Sequence, residues 1–331
     1  MSTKYEAAHQ APNGPGDARP TAQQILEDEQ LQGKWSDKTI LITGTSSGIG
    51  IETARVLLET GATVYLTARN LTKAKSALGS ILDNPRAKLL ELDLNSLASV
   101  RKCAVEFLKE SDKLNIVIAN AGIMASPEGR TEDGFELQFG TNHLAHFLLI
   151  QLLLPALVKS STPDFQSRVV VLSSSAHRMG GVHLDDFNLE GKYNPWVAYA
   201  QSKTANLYTA SELERRYGGQ GVHAFSVHPG VIMTGLSQFL PEEALKSWAD
   251  NPKTATHTKS VEQGAATSVW AATAKALEGK GGLYLEDAQI SKPAKPTEDL
   301  FDPGYAPHAY DEEKERLLWE KSLELVKPFL S

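Results

Sequence analysis

The chain has 331 residues, of which 41% are hydrophobic and 22% are charged, and its formal net charge is −7. This composition supplies a full-sized apolar core and excludes global disorder. Because the balance of charge is acidic, there is no broad electrostatic reason for the protein to bind nucleic acid or an anionic membrane.

Both ends of the chain differ in composition from its middle. Residues 1–20 are polar and rich in Ala, Pro and Gly, which predicts a disordered tail without the apolar segment of a signal peptide. Residues 21–35 predict a helical segment that leads into one domain over 36–286. Residues 287–331 predict a C-terminal extension, in which a Pro-rich stretch precedes an amphipathic helix over 311–326 that packs on the domain.

Short β-branched segments alternate with longer helical patterns along this domain. The predicted strands are nearly continuous apolar runs, which is typical of a parallel sheet covered by helices on both faces. The alternation predicts a single-domain, doubly wound α/β sheet of about seven strands with right-handed crossovers. The predicted strands are 38–43, 62–67, 88–92, 115–119, 168–173, 223–227 and 282–285, and the predicted helices are 48–60, 71–82, 96–110, 132–159, 197–217 and 261–276.

Two links are longer than the others, 175–197 after the fifth predicted strand and 232–260 after the sixth. Long links are often functional, and ligands of doubly wound sheets bind beyond the carboxyl ends of the strands. We therefore expect both links to form a substrate pocket, with Trp196 at its mouth or, alternatively, as an aromatic loop anchor. The two links contain several apolar residues, which favour a largely apolar substrate. These residues are Met179, Val182, Trp196, Leu236, Phe239, Leu240 and Trp248.

A glycine-rich turn follows the first predicted strand and leads directly into a helix. Glycine lets the backbone approach a pyrophosphate closely, and the helix start offers unpaired N–H groups to phosphate oxygens. The spacing G-x-x-x-G-x-G differs from the common G-x-G-x-x-G, so a tight turn without a ligand is the alternative, and the lysine of a P-loop is missing. The turn residues expected to hold a dinucleotide are Gly44, Ser46, Ser47, Gly48, Ile49 and Gly50.

The end of the second predicted strand bears on the choice between NAD and NADP. NAD sites usually place an acidic residue there for the ribose 2′-hydroxyl, but no acidic residue occurs between Gly61 and Arg69. The guanidinium group of Arg69 suits a 2′-phosphate, which predicts NADP as the cofactor. A solvated charge at the end of a strand is the alternative interpretation of Arg69.

Tyr199 and Lys203 are four residues apart in a predicted helix and therefore share one face of it. A phenol has a pKa of about 10, which is too high for acid–base catalysis at neutral pH. An ammonium group one helical turn away, together with the positive charge of an oxidised nicotinamide, stabilises the phenolate and lowers that pKa. Taken alone, the spacing is common in helices and equally describes a surface pair.

Several motifs occur together and in order, and they resemble the short-chain dehydrogenase/reductase family, whose fold is of Rossmann type, over roughly 36–286. These motifs are the glycine-rich turn, Asn120-Ala121-Gly122, Ser174, Tyr199 and Lys203. Within the family, the runs 172–177 (LSSSAH) and 141–147 (TNHLAHF) resemble the retinol dehydrogenase/WW-domain oxidoreductase branch. The step from Ser174 to Tyr199 is longer than in the family's smaller members, so the extra residues must reshape the pocket entrance.

The resemblance implies four catalytic residues. Tyr199 would donate or accept the proton, and Lys203 would lower the pKa of Tyr199 and bind the nicotinamide ribose. Ser174 would hydrogen-bond the substrate oxygen, although only the register of the motif selects it from the serines 173–175. Asn142 would hold a water that links Lys203 to solvent, or alternatively would cap or kink the long helix.

The resemblance also implies further contacts to the cofactor. Asp93 would meet the adenine, with a helix N-cap as the alternative, and Asn120 would contact the adenosine ribose and the sheet. Ile232 and Thr234 would touch the nicotinamide amide. The full set of these residues is Asp93, Leu94, Asn120, Ala121, Gly122, Tyr199, Lys203, Pro229, Gly230, Ile232 and Thr234.

Two other chemical signals in the sequence are weaker. A hydrolase built on Ser174 and His177 lacks the G-x-S-x-G elbow, and a histidine three residues away cannot by itself complete a triad. His143 and His146 share one predicted helix but lack a third ligand, so we expect packing there and no metal site.

The remaining features bear on location. Cys103 is the only cysteine, so no intrachain disulfide forms, which is typical of a reducing compartment and favours the cytoplasm. The most apolar run, 144–158, is shorter than the roughly 20 residues of a membrane span. We therefore expect a soluble cytoplasmic protein with Cys103 as a small core residue.

The sequence as a whole predicts an NADP(H)-dependent oxidoreductase that moves a hydride between the nicotinamide and a carbonyl or alcohol of a largely apolar small molecule. Reduction is favoured because cells usually keep NADP reduced. One alternative is an NADP-binding redox sensor or scaffold without turnover, and another is an NAD-dependent alcohol dehydrogenase that leaves Arg69 idle. The resemblance also implies a homodimer through the apolar face at 137–158, with a monomer as the alternative.

Overall fold

A single eight-stranded sheet forms the centre of the molecule, in a computed structural model that describes residues 4–295 and 299–330. The strands are β1 (Thr39–Thr43), β2 (Thr63–Ala68), β3 (Ala87–Glu91), β4 (Ile116–Ala119), β5 (Ser167–Leu172), β6 (Val222–His228), β7 (Leu283–Glu286) and β8 (Gln289–Ile290). Their order in space is β3-β2-β1-β4-β5-β6-β7-β8. All neighbours are parallel except β7 and β8, which confirms the doubly wound fold and adds one short antiparallel strand to it.

Helices precede, connect and follow these strands. They are α1 (Glu6–His9), α2 (Ala22–Asp28), α3 (Ile49–Leu58), α4 (Leu71–Leu78), α5 (Leu97–Glu110), α6 (Leu137–Phe139), α7 (Ala145–Ser160), α8 (Pro195–Tyr217), α9 (Glu242–Asp250), α10 (Pro252–His257), α11 (Val261–Gly264), α12 (Ala266–Thr273) and α13 (Glu312–Val326). A π-helical turn, Gly140–Leu144, joins α6 to α7. Short 3₁₀ turns lie at Gly79–Asp83, Ser175–Met179, Gly218–Gln220, Gly235–Ser237, Lys275–Leu277, Pro307–Ala309 and Lys327–Phe329.

The sheet separates two apolar cores because successive strand residues point to opposite faces. On one face, residues such as Leu41 and Val117 pack with side chains of α5, α7, α8 and α13. On the other face, residues such as Ile40 and Ile118 pack with α2, α3 and α12. Helices cover both faces, which explains why the strands are continuous apolar runs.

The predicted strands agree with the structure to within one residue at each end. The helix predicted over 132–159 begins only at Leu137, because the preceding residues form a turn that is closed by a bridge between Arg130 and Glu136. The Glu136 carboxylate then caps the helix by accepting hydrogen bonds from the Gln138 and Phe139 N–H groups.

The helical run Leu137–Ser160 is, by length and composition, apolar enough to cross a membrane. It extends further than the apolar run 144–158 that the sequence picked out. However, 72% of its most apolar 18-residue window is buried within the molecule. Its α7 part contacts α5 and α13. This run is therefore a core helix of the α/β fold.

Residues 4–20, which composition predicted to be a disordered tail, are packed against the domain, and that prediction is wrong for them. The Arg19 side chain is buried and donates hydrogen bonds to the carbonyl oxygens of His257 and Thr258 at 2.7 and 2.8 Å. The Tyr5 hydroxyl donates to Asp28 at 2.7 Å. These contacts are long-range, so a composition argument could not detect them. Residues 1–3 lie outside the described part of the chain.

The C-terminal extension packs on the sheet side that carries α8, as predicted for its helix. Helix α13 begins after Asp311, whose side chain accepts a hydrogen bond from the Lys314 N–H, and it contacts α8 and α7. The sheet itself continues to Ile290, beyond the boundary at residue 286 expected from the sequence. Residues 296–298 and 331 of the extension are outside the described part of the chain.

Candidate active site

A cavity of about 640 Å³ lies over the carboxyl ends of the parallel strands. The glycine-rich turn after β1, the segment after β4 and the serines after β5 all contribute to it. The order of strands reverses between β1 and β4, and ligands of doubly wound sheets bind at this kind of switch point. The fold therefore brings motifs that are distant in sequence to one edge of the sheet.

The glycine-rich turn leaves no room for side chains at two of its glycines. Gly44 has a φ of +74°, and a Cβ added there would lie 2.8 Å from the Ala121 Cα. A Cβ on Gly50 would lie 2.3 Å from the Gly44 carbonyl oxygen and 2.7 Å from the Asn120 Nδ2. The turn is thus packed tightly against the segment after β4 and presents the N-terminus of α3 to the cavity, which suits phosphate groups.

Asn120 links β1 to β4 and keeps one polar atom without a partner. Its Nδ2 donates to the Thr43 carbonyl oxygen at 2.8 Å. Its Oδ1 is buried and accepts no hydrogen bond within the described residues. Because an unpaired buried acceptor is costly, this atom suits a ligand hydroxyl group. The tight glycine turn and this acceptor together fit a bound dinucleotide.

Two cationic side chains line the cavity beyond the end of β2. Arg69 follows β2, is exposed, and forms no hydrogen bond or ion pair within residues 4–295 and 299–330. Lys73, one helical turn further on in α4, also lines the cavity. We did not predict Lys73 from the sequence, although it follows Arg69 by four residues and lies in the first turn of a predicted helix.

Asp93 and Leu94 line the same end of the cavity. The Asp93 carboxylate accepts a hydrogen bond from the Asn95 N–H at 2.9 Å. Helix α5 starts at Leu97 with Ser96 in the N-cap position, and Asp133 accepts from the Leu97 N–H. The alternative that Asp93 is a helix N-cap is therefore wrong.

The three consecutive serines after β5 have different environments. The Ser173 hydroxyl is buried and donates to the Lys203 carbonyl oxygen at 2.8 Å, so it is engaged within the protein. The Ser174 hydroxyl accepts from the Ala176 N–H at 3.1 Å and retains its proton for another acceptor. Ser174 also interacts with the Tyr199 hydroxyl. This geometry favours Ser174 over Ser173 as the serine that faces the reacting group.

Tyr199 and Lys203 are buried side by side in α8, so the alternative of a surface pair is wrong. The Lys203 Nζ lies 5.6 Å from the centre of the Tyr199 ring and donates to the Leu172 carbonyl oxygen at 3.0 Å. Burial raises the pKa of Tyr199 to about 12, and the hydrogen bond with Ser174 acts in the opposite direction. Burial lowers the pKa of Lys203 to about 8. From the sequence we expected Lys203 to lower the pKa of Tyr199. In the protein without a bound cofactor, the effect of burial is larger, and the pKa of Tyr199 is raised.

Asn142 lies in the π-helical turn and, like the predicted pocket residues Val182 and Leu240, does not line the cavity. Its Oδ1 accepts from the Ile123 N–H and its Nδ2 donates to the Ile123 carbonyl oxygen, both at 2.9 Å. Its own carbonyl oxygen contacts the ring nitrogen Nδ1 of His146 at 3.0 Å. The side chain thus fixes the chain segment that follows β4.

The turn after β6 forms a further part of the cavity wall. Pro229, Gly230, Ile232 and Thr234 all line it. A Cβ added to Gly48 would lie 3.3 Å from the Thr234 side chain, so this turn passes directly over the glycine-rich turn. A dinucleotide placed in the cavity would therefore be held between the two turns.

Both long links contribute apolar side chains to the cavity wall. The Trp196 ring lies 6.4 Å from the Tyr199 ring and 6.2 Å from the Trp248 ring. The link 232–260 contains α9 and α10, so it is a helical cover and not an open loop. Two apolar residues of the C-terminal extension, Leu300 and Phe301, also line the cavity, and no local sequence signal pointed to them.

Every other residue predicted for the site lines this one cavity. These residues are Gly44, Ser46, Ser47, Gly48, Ile49, Gly50, Arg69, Asp93, Leu94, Asn120, Ala121, Gly122, Ser174, Trp196, Tyr199, Lys203, Pro229, Gly230, Ile232 and Thr234. Of the apolar link residues, Met179, Leu236, Phe239 and Trp248 also line it, whereas Val182 and Leu240 do not. His143 and His146 lie in the core, where their rings contact the hydroxyl groups of Ser322 and Thr43.

The fold and the site together define an oxidoreductase that uses a nicotinamide dinucleotide. The family model described as short chain dehydrogenase matches residues 38–244, and the chain belongs to this family. The match covers the sheet from β1 to β6 together with Ser174, Tyr199 and Lys203.

Two relatives and one solved structure place the chain within the family. It is 50% identical over 323 residues to the short-chain dehydrogenase/reductase prx1 of Penicillium roqueforti, covering 98% of this chain and 95% of that protein. It is 38% identical over 312 residues to retinol dehydrogenase 14 of Homo sapiens, covering 87% and 86%, which confirms the resemblance to the retinol dehydrogenase branch. A crystal structure of a protein from Mycobacterium paratuberculosis, 33% identical, superposes with a TM-score of 0.68 over 90% of this chain and 97% of that one.

Proposed function

We propose that the protein is an NADP(H)-dependent reductase for a carbonyl group of a largely apolar small molecule. The observation that carries this proposal is the position of Tyr199. Its buried hydroxyl lies beside Ser174, in the same cavity as the glycine-rich turn. Acid–base, oxygen-binding and dinucleotide-binding groups therefore surround one space.

In the proposed reaction, the protein's own groups handle the carbonyl oxygen. The reduced dinucleotide supplies the hydride when it is bound. The Tyr199 hydroxyl donates its proton to the carbonyl oxygen, and the Ser174 hydroxyl donates a hydrogen bond to the same oxygen as negative charge develops there. Lys203 then stabilises the resulting phenolate and holds the nicotinamide ribose. Asn142 holds the segment after β4 in place through its two hydrogen bonds to Ile123.

The protonation state of Tyr199 suits its proposed role as the proton donor in carbonyl reduction. With a pKa of about 12, the phenol carries its proton at neutral pH and is ready to donate it. Oxidation of an alcohol would need the phenolate, which is rarer at that pH unless a bound oxidised nicotinamide stabilises it. Lys203, with a pKa of about 8, remains charged at pH 7.

The charges around the adenosine end support NADP over NAD. Arg69 and Lys73 offer two cations to a 2′-phosphate, and neither forms an ion pair within the described residues. An arginine fork matches phosphate geometry. We assign NADP as the cofactor for this reason, with an NAD-dependent alcohol dehydrogenase as the alternative if Arg69 has no role in binding.

The substrate and the location of the protein follow from other features. Met179, Leu236, Phe239 and Trp248 line the cavity that contains Tyr199, which suits an apolar molecule. The buried thiol of Cys103 and the buried central helix are compatible with a reducing, aqueous compartment, and we propose the cytoplasm.

The proposal is tested by the loss of NADPH absorbance with a panel of apolar ketones and aldehydes, using wild type and Tyr199→Phe. The ring remains in place while the proton donor is lost, so we expect turnover to fall by a factor of about 10² to 10⁴ with NADPH still bound. A variant that retains turnover within a few-fold of wild type would reject the acid–base role of Tyr199. If wild type binds NADPH but reduces no carbonyl in the panel, the protein is better described as a redox sensor.

A further inference from the structure

The C-terminal extension contacts His177, a buried histidine that follows Ser174 by three residues. His177 Nδ1 lies 2.7 Å from the Ser174 carbonyl oxygen, and its Nε2 lies 3.0 Å from the backbone nitrogen of Ala306. A carbonyl oxygen accepts a hydrogen bond and a backbone N–H donates one. Both contacts are therefore satisfied by a single neutral tautomer, with the proton on Nδ1.

The extension also contacts the 3₁₀ turn Ser175–Met179, which follows Ser174, through a second residue. The His308 Nε2 donates to the His177 carbonyl oxygen at 2.8 Å. The Tyr208 hydroxyl in α8 donates to the His308 carbonyl oxygen at 2.7 Å. The turn that carries Ser174 is thereby tied to α8, the helix of the candidate acid–base pair, through residues of the extension.

We propose that His177 is a positioning residue for Ser174, and that residues 299–310 of the extension complete the active site by fixing His177. This inference rests on the proposed function, in which Ser174 holds the substrate oxygen. His177 does not line the cavity, so it acts only through the Ser174 backbone. The extension supplies the Ala306 N–H that selects the tautomer, and it adds Leu300 and Phe301 to the cavity wall.

The chemistry of His177 fits this positioning role and not that of a general base. The ring is completely buried, and burial lowers its pKa to about 4, so it stays neutral over the pH range of an ordinary assay. Protonation would place a second N–H against the Ala306 N–H and break that contact. The residues involved lie partly outside 38–244, the span that the family model matches, so the family motifs alone do not include this contact.

The first test is a double-mutant cycle between His177 and Ser174. His177→Leu removes both ring hydrogen bonds, whereas His177→Asn keeps a donor near the position of Nδ1. We expect His177→Leu to lower kcat for carbonyl reduction by about 10- to 100-fold, the loss typical of a misplaced active-site group, with KM and the NADPH Kd within about twofold of wild type. His177→Asn should recover part of this loss. In the Ser174→Ala background, His177→Leu should cause no further loss, because the two residues act as a unit.

A second variant alters the extension and leaves the His177 side chain unchanged. Ala306 has a φ of −68°, which proline adopts, so Ala306→Pro fits the local backbone, replaces the N–H with a ring carbon and displaces the His177 ring from this contact. We expect the same pattern, a lower kcat with an unchanged NADPH Kd. The matched control is Tyr284→Phe, since the Tyr284 ring lies 4.8 Å from that of His177 and its hydroxyl has no partner within the described residues. This control should leave kcat unchanged.

The outcomes separate the inference from the proposed function. If wild type turns over a carbonyl and the losses of the double variant are additive, His177 does not act through Ser174 and the inference is overturned. The same follows if Ala306→Pro keeps full kcat. A wild type without any turnover rejects the proposed function, and the positioning role falls with it. Melting temperatures of all variants identify any that fail to fold. If His177→Leu does not fold, the kcat values of His177→Asn and Ala306→Pro show whether His177 positions Ser174.

Discussion

Arg69 is the side chain on which cofactor choice depends in our proposal. Replacing it by Asp reverses the charge that would face the 2′-phosphate, and charged hydrogen bonds are worth about 1.5–3 kcal/mol. We expect the NADPH Kd to rise by roughly 10- to 100-fold and the NADH Kd to change little. Fluorescence titration of both cofactors measures this.

The control for Arg69→Asp is Arg101→Asp, which makes the same charge change at an exposed position of α5 that does not line the cavity. It should leave both Kd values unaltered. If Arg69→Asp weakens the two cofactors equally, Arg69 contributes only a general electrostatic attraction and the assignment of NADP loses its basis.

Buried histidines make the stability of the protein sensitive to acid. Burial lowers the pKa values of His143 and His228 to about 3, and those of His146 and His177 to about 4. Between pH 6.5 and about 4 the unfolded chain binds protons on these groups that the folded protein does not, so the free energy of unfolding falls with decreasing pH. Each histidine contributes up to about 1.4 kcal/mol per pH unit in this window.

Glu286 acts in the opposite direction, because burial raises its pKa to about 7 and the folded protein then binds a proton that the unfolded chain does not. Four histidines outweigh this one carboxyl group. We therefore expect the melting temperature to fall from pH 7 to pH 5, and to fall more steeply in Glu286→Gln, where the opposing contribution is removed. A melting temperature that is flat across this range would contradict the prediction.

At the scale of single elements, the turn between β1 and α3 tolerates no added carbon at Gly50. A Cβ there would lie within 2.3 Å of a backbone oxygen, and backbone atoms cannot move aside cheaply. We expect Gly50→Ala to weaken NADPH binding at least about tenfold and to cost about 1–3 kcal/mol of stability. Cofactor titration and denaturant unfolding measure the two effects.

The matched control is Gly219→Ala, because a Cβ at Gly219 meets no atom within 4 Å. This variant should bind NADPH as wild type does. Should Gly50→Ala bind NADPH normally, the turn is less rigid than its packing indicates, and its close approach to Asn120 would have no part in binding.

For the whole molecule, the position of α13 bears on the homodimer expected through the face at 137–158. Trp319 of α13 is 2% exposed, and its ring lies 4.9 Å from that of Phe147 in α7. The guanidinium group of Arg216 in α8 lies over the same indole ring, 5.2 Å from its centre. The chain's own helix covers this part of the face, so pairing there would require α13 to leave.

We therefore expect the protein to be a monomer of 35.9 kDa in solution, and light scattering at micromolar concentrations measures this mass. Trp319→Ala should lower the free energy of unfolding by about 3–5 kcal/mol, because it empties a buried site between three helices. A dimer mass for wild type would show that another face, or a displaced α13, forms an interface.

The sequence located the parallel strands and most of the predicted residues that line the cavity, because both depend on local order. Apolar runs of four to seven residues predict buried parallel strands, and the motifs around Gly44, Asn120, Ser174 and Tyr199 each follow a strand or begin a helix. Parallel strands bring their carboxyl ends to one edge, so motifs far apart in the chain were expected to meet there.

Only the tertiary structure decided the features that depend on distant contacts. Composition indicated disorder for residues 4–20, yet Arg19 is buried against carbonyl groups more than 200 residues away. The pKa of Tyr199 depends on burial, which the spacing to Lys203 does not report. Likewise, Leu300 and Phe301 enter the cavity, and Ala306 reaches His177, because the extension folds back over the domain. Local patterns specify elements, whereas burial and long-range hydrogen bonds arise only once those elements pack together.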